Sequence, residues 1–468
     1  MGALTTHRGT WSVDDRLAAP WHYLPVEVPA GAAALRVTLS YPPAPQHPPA
    51  PQHPPVPQHP RPGAAVLDVG CLGPDGFRGW SGGARDTFAV AEAGATPGYL
   101  AGPVTAGLWQ VVIGLHLVPA EGVPFTLTAE VIGASGGTSG GTLGGTLGRA
   151  LAEAGAVAPE SGAALSHAGN GETGAAGRSG AGGLAAAPLP PAPASRPARR
   201  ALPAPDGLTW LAGDLHAHTV HSDGVMSVAE LAVHAADRGL DFVAVTDHNT
   251  VSHHACLGPL SARYGVTLLP GQEVTTTLGH AGVLGDVGWI DFREPAAAWL
   301  TAAESAGGLM SVNHPFGGAA SWLHPMPRRP PLLEVWHWSW LDPAWTTPLS
   351  WWQAWDPAAI PVGGSDWHRP GSDAPLGTPT TWVLAADPAV AGLLAGLRAG
   401  RVAISGSRDG PVLLRDSGDL VAVGADGLVL AGPDGPYRRV TGDLARMPGA
   451  PGYHRLLTLA GATVALTP

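Results

Sequence analysis

The stretch GDLHAHTVHSDG, residues 213–224, carries three histidines and two aspartates in a chain of which only 13% is charged. His216 and His218 stand two residues apart, a spacing that puts both rings on one face of a strand. Paired imidazoles with carboxylates nearby make either a polar sheet edge or part of a metal site. Residues further along decide between the two. Asp247 and His248 close the apolar run FVAVTDHN, Glu273 closes VTLLPGQE, and His314 closes GLMSVNH. Asp366 and His368 close IPVGGSDWH. A sheet edge does not explain five successive strand ends bearing imidazole or carboxylate. Twelve of the 20 histidines fall between 216 and 368. Imidazole with carboxylate suits zinc, manganese or iron, and the lack of cysteine in the set favours a hydrolytic over a structural site.

Strands alternating with helices must position these groups. TWLAGDLHAH reads as a strand. SVAELAVHAADRG reads as a helix with Ser227 as N-cap, Glu230 completing a capping box and Gly239 ending it. FVAVTDHN is a buried parallel strand by its unbroken apolar run. VTLLPGQEV, HAGVLG, GLMSVNHP, LLEVWHW, IPVGGSDWH and RVAIS are further strands; EPAAAWLTAAESAG and LSWWQAW are helices. DPAVAGLLAGLRAG predicts a helix with Asp387 at the N-cap and Pro388 at the first helical position. Repeated strand–helix units over 207–408 argue for a barrel or an open parallel sheet, where functional groups collect at the C-terminal strand ends.

The rest of the chain has a different rhythm. Residues 1–132 hold short apolar runs such as ALRVTLSY and PFTLTAEV, punctuated by Gly, Pro and Asp, which predicts a β-sandwich-like domain. A six-residue Pro/His repeat interrupts it at 42–62 and reads as an extended solvated spacer, not a metal site. Residues 133–206, rich in Gly and Ala and then in Pro, read as a flexible linker. Residues 409–468 read as a small β-rich extension.

Composition excludes several functions. All 25 basic residues are Arg, so a P-loop lysine, a Schiff-base lysine and a Ser–Lys dyad are excluded. A net charge of −11 with no basic run argues against a nucleic acid partner. No run of about 18 apolar residues predicts a membrane span. Two cysteines, Cys71 and Cys256, fit a reducing compartment, and a cytoplasmic protein is expected. The oligomeric state is not encoded legibly.

GDLHAHT with SDG, VAVTDHN, PGQEVTTTLGH, VNHP and GGSDWH, in that order, resemble the successive motifs of the PHP (polymerase and histidinol phosphatase) metallohydrolases over roughly 208–405. The CehA/McbA-type branch is the most similar. WSWLDPAWTTPLSWWQAW, and TPGYLAGPVTAGLWQVVIG in the N-terminal β-domain, resemble that branch too. The resemblance implies an α/β fold, a distorted (β/α)7 PHP barrel, binding two or three divalent ions (Mn, Zn or Fe). By the same resemblance His216, His218, Glu273 and Asp366 hold one ion. Glu273 bridges to a second held by His314 and His280, and Asp223, His248 and His368 hold a third. Every position of the pattern is occupied. One departure is His337, where relatives tend to carry Asn; it is expected near a strand end, lining the pocket.

Some residues read two ways. Asp223 is either a ligand or a turn residue before Gly224, and Asp247 either a ligand or the group that orients His248. His221, His253 and His254 are expected to be exposed, the last two at a helix start, and His234 to be on the surface or partly buried. Arg369 is either a catalytic anion contact or a salt-bridge partner of Asp366 or Asp373. The Trp-rich run 336–355 serves either packing or an aromatic substrate, and Trp80, Trp109 and Tyr99 are either core or a stacking platform. The expected function is hydrolysis of a phosphomonoester or phosphodiester of a small molecule by metal-activated hydroxide, with Asp366 as proton acceptor. Hydrolysis of a carbamate, amide or ester is the alternative. A glycan- or partner-binding protein with an accessory barrel is a further one.

Overall fold

The structure is a computed structural model that describes residues 3–42, 65–133, 143–157, 188–193, 195–340, 342–433 and 437–468. The Pro/His repeat beyond Pro42 and much of the expected linker lie outside the described residues. Two compact units are present, the first comprising Met1–Leu189 with His221–Asp223 and the second Pro190–Val220 with Gly224–Pro468.

In the first unit, strands alternate buried and open positions and so enclose a core between two antiparallel sheets. One sheet orders Ala3–Trp11, Val123–Gly133, Ala32–Ser40, Thr87–Ala91 and Gly94–Ala95. The other orders Trp21–Val28, Gly107–Leu117, Val66–Gly73 and Gly76–Gly82. Every second residue of Val123–Val131 is buried, and Phe125, Leu127 and Val131 share a core with Val69, Val111 and Ile113 of the other sheet. Trp80, Tyr99 and Trp109 are at most 3% exposed, so they are core residues and offer no stacking platform.

Part of the segment expected as linker is structured differently. Leu143–Glu153 is a helix whose Ala150 and Leu151 bury against Ala34, Ala89, Ala91 and Ile132. Small residues on both sides let the helix approach the sheet closely, a match that composition alone hides. The end of the same segment belongs to the second unit. Arg199 Nε donates to the buried Asp241 at 2.8 Å, and Arg196 Nη2 donates to Leu240 O at 2.5 Å.

The second unit opens with β1 (Thr209–Ala217), α1 (Val228–Asp237), β2 (Phe242–Val245), α2 (His254–Tyr264) and β3 (Thr267–Thr276). There follow β4 (Gly279–Leu284), α3 (Ala296–Ser305), β5 (Leu309–Val312), β6 (Leu332–Trp336), α4 (Thr347–Trp355) and β7 (Ile360–Gly363). β8 (Thr380–Ala385), α5 (Val390–Arg398) and β9 (Val402–Ser405) complete the strand–helix part. The sheet order is β7-β6-β5-β4-β3-β2-β1-β8-β9. Pairs β1/β2, β2/β3, β5/β6 and β6/β7 are parallel. The β3–β4 hairpin and the pairs β4/β5, β1/β8 and β8/β9 are antiparallel, so strict strand–helix alternation is broken there. An isolated parallel bridge, Ala217 with Trp367, joins the segment after β7 back to β1.

Ser227 and Glu230 form the capping box of α1. α5 starts two residues later than expected, after Ala389, because Asp387 Oδ1 accepts from Ala389 N at 2.9 Å and spends its side chain on the preceding turn. The C-terminal residues are continuous with this sheet and are not a separate body. Thr463–Thr467 pairs with β9, while Val412, Leu414 and Val421 bury against Trp210 and Trp382. Among the described residues no helix is long and apolar enough to cross a membrane.

Candidate metal centre

The polar strand ends of the second unit converge. β1 delivers His216 and, one residue beyond its end, His218; both are buried. The segment after β2 delivers His248, paired by an isolated bridge with Glu273 of β3. His280 comes from β4, His314 from the end of β5, and Asp366 and His368 from the turn after β7. Their donor atoms fall into three sets, each within 4.8 Å: His216, Glu273, His314 and Asp366; His218, Asp223, His248 and His368; and His248, Glu273 and His280. All nine expected ligands are therefore brought together, although the partition differs from the one the resemblance implies. His218 groups with His248 and His368, and His314 takes its place beside His216.

Glu273 is the hub. Its Oε1 lies 3.2 Å from His216 Nε2, 3.1 Å from His314 Nε2 and 3.4 Å from His280 Nδ1. Its Oε2 lies 2.9 Å from His248 Nδ1 and 3.6 Å from His218 Nε2. Asp366 Oδ1 lies 3.2 Å from His216 Nε2 and 3.0 Å from His218 Nε2. His216 Nε2, Glu273 Oε2 and His280 Nδ1 are buried and, despite these short separations, make no hydrogen bond among the described residues. His218 Nε2 and Asp366 Oδ1 do bond, as do His314 Nε2 and Glu273 Oε1. Three buried donor atoms crowded together without a bond are nevertheless what a cation centre requires, so the donor set fits divalent ions.

Charge follows the same geometry. Burial disfavours the ionised form of Glu273, but His216, His280 and His248 outweigh it and hold the carboxyl well below the usual range. Burial likewise opposes the charge of Asp366, which His216 and the hydrogen bond from His218 pull well below the ordinary value. At His216 burial opposes protonation, while Glu273, Asp366 and Glu334 raise its pKa well above the ordinary value. His218 moves the other way, to about 4, through burial and the neighbouring His368 and His248. Imidazoles this close repel one another when protonated, and a neutral ring is the form that binds metal.

Several supporting residues escaped the sequence reading. Glu334 in β6 is buried; its Oε1 accepts from His216 Nδ1 at 3.1 Å and its Oε2 from His314 N at 2.8 Å. That bond orients His216 so that Nε2 faces Glu273 and Asp366. The available signal was a lone carboxylate inside the apolar run LLEVW. Gly364 leaves room for this pair, because a Cβ there would lie 2.2 Å from Glu334 Oε1 and 2.5 Å from His216 Cβ. Asp214, fully buried, accepts from Ser365 N at 3.0 Å and Gly377 N at 2.7 Å, tying β1 to the turn that carries Asp366. Asn313 Nδ2 donates to Glu273 Oε1 at 2.9 Å. His314 and Asp366 both adopt positive φ, 24° and 53°, backbone that ordinary residues avoid and that clusters at functional sites.

Asp247 acts as a support. Its Oδ1 accepts from Thr219 N at 2.9 Å and its Oδ2 from Thr219 Oγ1 at 2.7 Å, which anchors the chain just after His218. His253 is not exposed as expected but fully buried, its Nε2 within 3.0 Å of Val245 O, because α2 packs it under the β2 strand end. His221 and His254 are half-buried rather than open, and His234 is partly buried. Arg369 is exposed, and its guanidinium pairs with neither Asp366 nor Asp373 among the described residues. Of the Trp-rich run, Trp336, Trp340 and Trp352 are core, whereas Trp345 is exposed.

No family model matches the chain. A stretch of 70 residues is 33% identical to the 5'-3' exoribonuclease of Haemophilus influenzae, covering 15% of this chain and 26% of that protein. A stretch of 86 residues is 37% identical to the 3',5'-nucleoside bisphosphate phosphatase of Chromobacterium violaceum, covering 18% of this chain and 30% of that protein. The chain spans less than a third of the length of either relative. Among solved structures, a two-domain protein from Bacteroides vulgatus containing a predicted PHP-like metal-dependent phosphoesterase is 18% identical. That similarity covers 58% of this chain and 99% of the other, with a TM-score of 0.39.

Proposed function

We propose that the chain is a metal-dependent phosphoesterase of the PHP type, of the CehA/McbA-type branch, whose second unit is a distorted (β/α)7 barrel. The observation that carries this reading is the convergence of nine His, Asp and Glu side chains into three overlapping donor sets that share Glu273 and His248. The short stretches similar to a nucleoside bisphosphate phosphatase and an exoribonuclease support phosphate esters as the substrate class. Divalent ions bound by these sets would supply Lewis acidity toward phosphoryl oxygens and lower the pKa of water. Glu273, common to two sets, would be a ligand in both of them. Asp366, whose side chain is 14% exposed where that of Glu273 is 0% exposed, is the more open of the two carboxylates in the set with His216 and His314. It would help to hold an ion and could take up a proton at Oδ2, the oxygen not engaged by His216 and His218. The exposed Arg369, beside His368, would contact the substrate's anionic oxygens. Small phosphorylated molecules are the proposed substrates.

The test is metal analysis of the purified protein with a screen of phosphate esters and aryl carbamates in Mn, Zn and Fe. At least two equivalents of metal per chain and chelator-sensitive phosphate-ester hydrolysis are expected. Less than one equivalent, or hydrolysis confined to carbamates, overturns the reading. Arg369→Ala is expected to raise KM for phosphate esters while kcat and metal content stay as they are, because an exposed guanidinium binds substrate and not metal. Unchanged kinetics on every phosphate ester would remove Arg369 from the site.

A further inference from the structure

His337 directly follows β6 and is 2% exposed. Ser339 N donates to its Nδ1 at 3.3 Å, and the Ser339 hydroxyl lies 2.8 Å from the same atom. A main-chain amide can only donate, so Nδ1 carries the lone pair and the neutral ring bears its proton on Nε2. That Nε2 is buried and has no hydrogen-bond partner among the described residues. Buried donors without an acceptor are costly and rare, and each calls for a physical reason.

The surroundings supply one. The His337 ring lies 6.3 Å from that of His314, a member of the set with His216, Glu273 and Asp366. On its other side stands Phe316, at 5.3 Å, which itself packs edge-on against Trp351 at 5.8 Å. Trp338, 37% exposed, lies 6.2 Å from the His314 ring. The donor therefore sits in an aromatic wall at the edge of the metal centre, and that wall offers no oxygen to accept its proton.

We propose that His337 donates its Nε2 proton to an anionic oxygen of the substrate and so favours a charged phosphate ester over an uncharged carbamate. The assignment rests on the phosphoesterase reading above. A charged acceptor strengthens such a bond about twofold over a neutral one, which is the basis of the selectivity.

The experiment uses the full chain loaded with zinc, inorganic phosphate as the probe, and the variants His337→Phe and His337→Asn. His337→Phe keeps a ring but loses the donor, and is expected to weaken phosphate binding by about 10- to 100-fold, the scale of one hydrogen bond to a charged group. kcat/KM for phosphate esters should fall in proportion with zinc content unchanged. His337→Asn keeps a donor and should lose less. ¹⁵N shifts of the His337 ring in the wild-type protein, assigned by their disappearance in His337→Asn, should report the Nε2–H tautomer. An Nδ1–H tautomer overturns the proposal. So does unchanged phosphate affinity in His337→Phe while the wild type hydrolyses phosphate esters, a pattern that leaves the phosphoesterase reading standing. A wild type that neither hydrolyses phosphate esters nor binds phosphate overturns that reading and this one with it.

Discussion

Glu273→Gln is expected to lose at least one equivalent of bound metal and to reduce turnover by at least about a thousandfold. The carboxylate is fully buried and stands within 3.6 Å of five imidazole nitrogens, those of His216, His218, His248, His280 and His314. Glutamine keeps the shape and can still meet Asn313, but it removes the one negative charge shared by two donor sets. Removing one partner of a buried ion pair costs about 3–5 kcal/mol. At about 1.4 kcal/mol per factor of ten, metal affinity should fall by about two to three and a half orders of magnitude. Isothermal titration of the stripped protein with zinc, beside metal analysis of the purified variant, measures this directly. A variant that retains full metal content and wild-type turnover would show that Glu273 only packs among the histidines.

Asp366→Asn is expected to lower turnover by at least about a hundredfold, the usual scale for removing a general base. It differs from the first variant in what it leaves behind. Asp366 is reached by His216 and His218 through a single oxygen, Oδ1, and its Oδ2 is 3.9 Å from His314 Nε2. Asparagine can reproduce the Oδ1 contact, so the protein should fold and keep most of its metal. It cannot take up a proton at the second position, and the loss should appear in kcat with KM for phosphate esters little changed. The positive φ of residue 366 suits asparagine as well as aspartate, so backbone strain does not confuse the comparison. Metal content and single-turnover kinetics of this variant separate the two roles. Near wild-type turnover at full metal content would refute a proton-accepting Asp366.

The difference in burial between these two carboxylates was not legible in the sequence. Both close apolar runs, one before VTTT and the other before WH, and both read as ligands, although Asp366 alone also reads as a proton acceptor. Burial distinguishes them, and burial is a property of the neighbours. Glu273 sits within β3 beside β4, with His280 and His314 against its Oε1, whereas Asp366 stands in the irregular segment after β7. The support for the centre was hidden for the same reason. Glu334 touches His216 across 118 residues of chain, and Asp214 meets Ser365 across 151. The helix Leu143–Glu153 was hidden too, because it lies in a Gly-rich stretch and its buried pair, Ala150 and Leu151, acquires meaning only against Ala89 and Ala91.

Much of the strand–helix order and the donors at the strand ends could be read from residues alone, whereas Asp223 and His280 were expected only through the resemblance. An apolar run buried in a parallel sheet has few places for a histidine or a carboxylate except its end. The capping box Ser227–Glu230 is local hydrogen bonding and was legible for that reason. What only the tertiary structure decided is the pairing: which histidine shares which carboxylate, which charge is sealed and which reaches water, and where a buried imidazole such as His337 holds its proton. These depend on side chains from strands far apart in sequence meeting within about 3 Å, the range over which hydrogen bonds form. The spacing of residues along one strand carries no record of its neighbours across the sheet.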